Sequence, residues 1–119
     1  MVSVAEQLRP AHPEPTDPTG DERAFAEVAD VLGCKWTLAI LDAMDRGVNR
    51  PGRLQRELPG LSAKVLNQRL RKLQGFGLIA RHAHPEIPPR VEYEFTPRGR
   101  SMLGVVRAAR RYAEDARGR

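Results

Sequence analysis

A mainly α-helical domain with one small β-hairpin is the fold this sequence predicts, and three observations predict it. Residues 61–73 space their apolar side chains as a helix does. Residues 91–96 alternate apolar and polar with the period of a strand. Between these stretches lies Pro85-Glu86-Ile87-Pro88-Pro89-Arg90. Three prolines exclude a ladder interior, so this run is the hairpin tip.

The elements follow in chain order. Residues 1–22 hold Pro10, Pro13, Pro15 and Pro18 among few apolar groups and read as a flexible N-terminal tail. Val4 and Leu8 could make a short swapped contact in a dimer. The folded domain is expected over residues 23–113, with a C-terminal tail over 114–119. Val28, Val31 and Leu32 form an early apolar patch. Trp36, Leu38, Ala39, Ile40, Leu41 and Met44 supply the buried surface of the next helix, and Gly47 ends it. Asn49 is placed to cap a short helix from Pro51 to Leu58. Pro59-Gly60 then turns the chain into Ser62, a good N-cap whose hydroxyl can accept from an otherwise unpaired amide one turn in. Val65, Leu66, Leu70 and Leu73 line the core side of the helix that follows. Gly75 and Gly77 bracket Phe76 in a C-cap and tight turn. Leu78 and Ile79 begin one strand, and Val91, Tyr93 and Phe95 mark the other. Thr96 caps a last helix, with Pro97 in its first turn.

Chemistry concentrates on the Ser62 helix. At about 100° per residue, Lys64, Gln68 and Arg71 fall opposite the leucines, with Asn67 and Lys72 flanking. Arg pairs with guanine, Asn and Gln with adenine, and Lys with guanine or phosphate. A helix face of this kind is either an ordinary solvated surface or a surface that reads base edges. The order of elements favours the second. Two helices joined by a Gly turn and followed by a Pro-tipped hairpin make a winged helix-turn-helix. Arg50, Arg53 and Arg56 lie on the first of the two helices, where backbone phosphates would pass. Arg90 stands where a wing would meet a phosphate or the minor groove, and Arg81, His82 and His84 lie on the approach strand.

These residues also resemble a known family. Gly33, Lys35-Trp36-Thr37, Ile40-Leu41, Leu58-Pro59-Gly60-Leu61-Ser62, Leu66, Gln68, Leu70-Arg71, Leu73, Gly77-Leu78, Pro88 to Tyr93, Thr96-Pro97 and Gly99 look like the HxlR-type winged helix-turn-helix regulators, which are related to the MarR group. The likeness spans roughly residues 25 to 112. It implies a small bacterial transcription factor that is dimeric, with N- and C-terminal helices at the interface. Two recognition helices would then read a near-palindromic operator on double-stranded DNA. Many members carry a Cys-Pro pair upstream of the Gly-Gly-Lys-Trp motif, and in redox-sensing members that thiol is the sensor. Here Arg23 and Ala24 stand near that position. Cys34, the only cysteine, replaces the second Gly of the motif. Pro51 replaces an aromatic residue early in the first helix of the helix-turn-helix, and Arg53 an acidic one.

Composition agrees. A chain of 119 residues makes one domain. A net charge of +5 and a pI near 10.1 favour polyanion partners. No apolar run approaches membrane-span length, no signal peptide is visible, and a single cysteine fits a reducing cytosol, so a cytoplasmic protein is expected. His82 and His84 share a strand face and Glu86 lies near, but no fourth ligand does, so no metal is expected. Cys34, beside Lys35 and near a helix N-terminus, is either a small packed residue or a reactive thiol. Trp36 is a core residue or one wall of an effector cavity. No phosphate loop, nucleophile elbow or paired carboxylate set is present, so neither catalysis nor a cofactor is expected. A DNA-binding regulator, more plausibly a repressor, leads the remaining classes. An RNA-binding winged helix would show exposed aromatics for stacking. A protein-only module would not need its cations on one side. The expected signal is a small-molecule effector, or protein level alone, rather than thiol oxidation.

Overall fold

The computed structural model of the chain describes residues 20–118. The proposed tail over residues 1–19, with Val4 and Leu8, lies outside the described residues. Five helices and one hairpin follow in the order α1 (Gly20–Gly33), α2 (Thr37–Asp45), α3 (Pro51–Glu57), α4 (Ala63–Gly75), β1 (Ile79–His84), β2 (Arg90–Phe95) and α5 (Pro97–Arg117). The fold is mainly helical, as the periodicity predicts. Residues 20–22 and 114–117, assigned to the tails from sequence, are helical.

The caps explain most boundaries. Ser62 Oγ accepts from Val65 N at 3.1 Å and starts α4. Thr96 Oγ1 accepts from Gly99 N at 3.0 Å and starts α5. Gly47 takes a φ of +98° past the end of α2, and Gly77 a φ of +75° past α4. These are left-handed conformations that glycine adopts without steric cost. One expected cap is different. Arg50, not Asn49, is the N-cap of α3, with no side-chain cap bond. The Asn49 carbonyl instead accepts from Tyr93 N at 2.9 Å, tying the start of the helix-turn-helix to the wing.

β1 and β2 pair antiparallel from Ile79 opposite Phe95 to His84 opposite Arg90. A single core lies under this hairpin and between the helices. Val31, Ile40, Leu41, Leu54, Leu66, Leu70, Leu73, Leu78 and Val106 are its largest fully buried side chains. The root of the wing is sewn to α5. Thr96 N donates to Leu78 O at 3.1 Å, and Thr96 Oγ1 donates to Gly77 O at 2.5 Å. Gly99 packs so closely here that a Cβ would lie 1.9 Å from Leu78 O.

The terminal helices differ from expectation in which residues they leave open. These helices, expected at a dimer interface, bury Val31, Leu103 and Val106 within the protomer. One face of each helix is used by its own core, and only the opposite face is free to meet a partner. That face carries Phe25, Leu32 and Tyr112, with Phe25 and Tyr112 about three-quarters exposed (74% and 76%).

Candidate nucleic-acid interface

α4 owes its position to three leucines. Leu66, Leu70 and Leu73 are buried against the core, which turns Lys64, Asn67, Gln68 and Arg71 into solvent. Val65 is half-buried at the edge of the stripe. Ser62 is committed to its cap, with its hydroxyl on the outer surface. Among the described residues, Lys64 and Arg71 make no ion pair. Their charges are therefore available to an external anion.

Lys72, expected beside them, is engaged on the flank of the helix. Its Nζ lies 2.8 Å from Asp30 Oδ1 on α1 and 3.4 Å from Cys34 Sγ. The Lys72 ammonium, then the Cys34 thiol, hold the Asp30 carboxyl below its usual value. In turn Asp30, then Cys34, raise Lys72. No local sequence signal points to this cluster, because 42 residues separate Asp30 from Lys72. On the same flank Arg69 Nε donates to Lys35 O at 3.0 Å.

α3 presents the arginines. Arg50, Arg53 and Arg56 are exposed at its start and along its outer side. Arg53 meets Glu57 only loosely, at 3.9 Å, while Arg50 and Arg56 make no ion pair among the described residues. Together with Pro51, Gly52, Glu86, Pro88, Pro89, Arg90 and Val91 they line a groove of about 480 Å³ between α3 and the wing. Arg90 is thus brought to the other arginines, but its own charge is shared. Its Nη2 lies 3.2 Å from Glu86 and its Nε 3.4 Å from Glu92. The outer face of the wing continues this pairing. His82 Nε2 lies 2.9 Å from Glu94, and His84 Nε2 lies 3.0 Å from Glu92. Each histidine thus has a carboxylate partner. No set of three or more His, Cys, Asp or Glu side chains converges as metal ligands would among the described residues.

Cys34 and Trp36 belong to the rear. Cys34 sits just past the end of α1, and its Sγ donates to Asp30 Oδ1 at 3.3 Å. Its cationic neighbour is Lys72, not the adjacent Lys35, whose Nζ lies 5.6 Å from the Trp36 ring centroid. Trp36 precedes α2 with a φ of +78° and is half-buried. Both residues line an open groove of about 830 Å³, whose walls include Leu32, Leu38, Val106 and Ala109.

The arrangement is a helix with an open polar face, flanked by arginines and a wing, in a chain that resembles known proteins. Residues 31–119 match the family model described as HxlR-like helix-turn-helix. An uncharacterised HTH-type transcriptional regulator of Synechocystis is 41% identical over 105 residues, which are 88% of this chain and 78% of that one. A crystal structure of the HTH-type transcriptional regulator ytcD superposes with a TM-score of 0.72 at 33% identity, covering 80% of this chain and 97% of that one. The redox regulator HypR in its reduced form superposes with a TM-score of 0.72 at 29% identity, covering 79% and 93%.

Proposed function

This chain belongs to the HxlR-like helix-turn-helix family of transcriptional regulators, and from that premise we propose that it is a sequence-specific, homodimeric repressor acting in the cytoplasm on a near-palindromic operator. One observation carries the reading. The outer face of α4 holds Lys64, Gln68 and Arg71 without ion pairs among the described residues, beside the exposed Arg50, Arg53 and Arg56 at the start of α3 and along it. Lys64, Gln68 and Arg71 face the major groove and read base edges, with Asn67 at its edge. Arg50, Arg53 and Arg56 neutralise phosphates and fix the register. Among the described residues no helix is long and apolar enough to cross a membrane.

The second copy follows from apolar surface. Phe25, Leu32 and Tyr112 are open on the terminal helices, and burying such a face in a two-fold contact removes it from water. The two recognition helices then meet half-sites about one DNA turn apart, near 34–36 Å. The effector is a small molecule in the groove beside Trp36, or there is none and control is by protein level. HypR is named a redox regulator. In this chain Arg23 stands near the family's sensor position, so thiol oxidation is not the proposed signal.

Selection of bound sequences from a random duplex pool tests the reading. Enrichment of one near-palindromic sequence, bound by two protomers, is the expected result. No enrichment, or monomers at micromolar concentration with one protein per duplex, overturns it.

A further inference from the structure

We propose that the wing engages operator DNA through an apolar tip, Ile87 set in the minor groove, and not through the charge of Arg90. The inference rests on the reading of α4 as the DNA-facing helix. Ile87 is fully exposed, while the other large exposed apolar residues among those described, Phe25, Leu32 and Tyr112, all lie on the terminal helices. Among the described residues the Ile87 side chain is not packed against the core. Its neighbours restrict what the tip can do. Pro88 and Pro89 follow it and Pro85 stands two residues before, and prolines offer no N–H to a phosphate. Their fixed φ also limits how much freedom the tip loses on docking.

The occupant is identified by charge. Glu86, Pro88 and Pro89 of the tip share a groove with Arg50, Arg53 and Arg56. A phosphate strand held by those arginines runs beside Ile87. Arg90, the residue expected to supply the wing's contact, has Glu86 and Glu92 as partners. Removing it from them for a phosphate exchanges one anion for another and gains little. An apolar side chain has a different use at such a place. Isoleucine, leucine and proline pack against sugars or wedge between base steps in the minor groove. The contact releases no counterion, and this separates it from an arginine–phosphate contact.

The test uses the full chain and a duplex selected by the wild-type protein, with affinity measured across a salt series and hydroxyl-radical footprints taken at saturation. Ile87→Ala should weaken binding about five- to tenfold, as expected for methyl groups left unburied. The slope of affinity against salt should stay at the wild-type value. Protection of the sugars flanking each half-site should disappear, and Ile87→Leu should restore it. Arg90→Ala should leave the slope almost unchanged. Wild-type affinity for Ile87→Ala, an unchanged footprint, or a lower salt slope for that variant each overturns the proposal. Gln68→Ala distinguishes the two levels of failure. If it loses sequence preference while Ile87→Ala behaves as wild type, the reading of α4 stands and the wing proposal falls. If the wild-type protein enriches no sequence, both fall.

Discussion

Arginines on the two sides of this protein differ in their partners. On the α3–α4 side, Arg50, Arg56 and Arg71 have no carboxylate partner among the described residues. On the rear, three arginines of α5 have carboxylate partners. Arg107 holds Asp45 through two bonds of 2.8 and 3.1 Å. Arg110 bridges Asp45, at 2.9 Å, and Asp42, and Arg98 pairs with Glu27 of α1. Both sides are basic in sequence. A count of charges does not separate the two sides, whereas their partners distinguish Arg98, Arg107 and Arg110 from Arg50, Arg56 and Arg71. A paired arginine fixes one helix against another. An unpaired one keeps its charge for a ligand.

The largest expected effect disables both sides together. Gly99 joins the wing to α5, and a Cβ there would overlap Leu78 O at 1.9 Å. Backbone cannot yield as a side-chain end can, so Gly99→Ala should cost about 3 kcal/mol or more. Thermal unfolding checks this, and a melting temperature within about 2 °C of wild type would contradict the packing.

The next prediction separates the sides. Gln68→Ala or Arg71→Ala should lose about 1–3 kcal/mol at one base pair of the selected operator and relax preference there. Folding stability should not change, because both side chains are exposed and unpaired. Equal losses on operator and random DNA would reduce these residues to phosphate contacts.

The rear should answer to pH instead. Arg107, then Arg110, lower the Asp45 carboxyl from 3.8 to about 2. The stabilisation this gives is complete above about pH 4 and is lost as pH falls from there through about 2. It amounts to about 1–2 kcal/mol, discounted because Arg107 is half-exposed to water. Urea unfolding at pH 6 and pH 2.5 measures it. Asp45→Asn should remove that part of the loss, and an identical loss in both proteins would show the rear pairs to be energetically idle.

The smallest effect sharpens the comparison most directly. Arg50→Ala should lower the magnitude of the salt slope of DNA binding by about 0.9. Arg107→Ala, an equal change in net charge, should leave the slope unchanged. If both variants shift it equally, the protein's overall charge matters and the location of the arginines does not.

Sequence alone determined the order of the elements and most of their boundaries. Helical spacing of Leu66, Leu70 and Leu73, the caps at Ser62 and Thr96, the left-handed glycines at 47 and 77, and three prolines at the wing tip are local signals. Each acts within a turn or two of chain, so each could be read without the fold. The outward direction of Lys64, Gln68 and Arg71 followed, because the buried stripe fixes the opposite face. The tertiary structure alone decided which charges are occupied. Lys72 meets Asp30 across 42 residues, Arg110 meets Asp42 across 68, and Arg90 meets two carboxylates around a hairpin tip. It also decided that Val31, Leu103 and Val106 fill the protomer's own core while Phe25 stays open. Apolar spacing shows that a helix has a sticky face, but two neighbours can compete for it. Only the packed arrangement of α1, α2 and α5 shows which one has taken it.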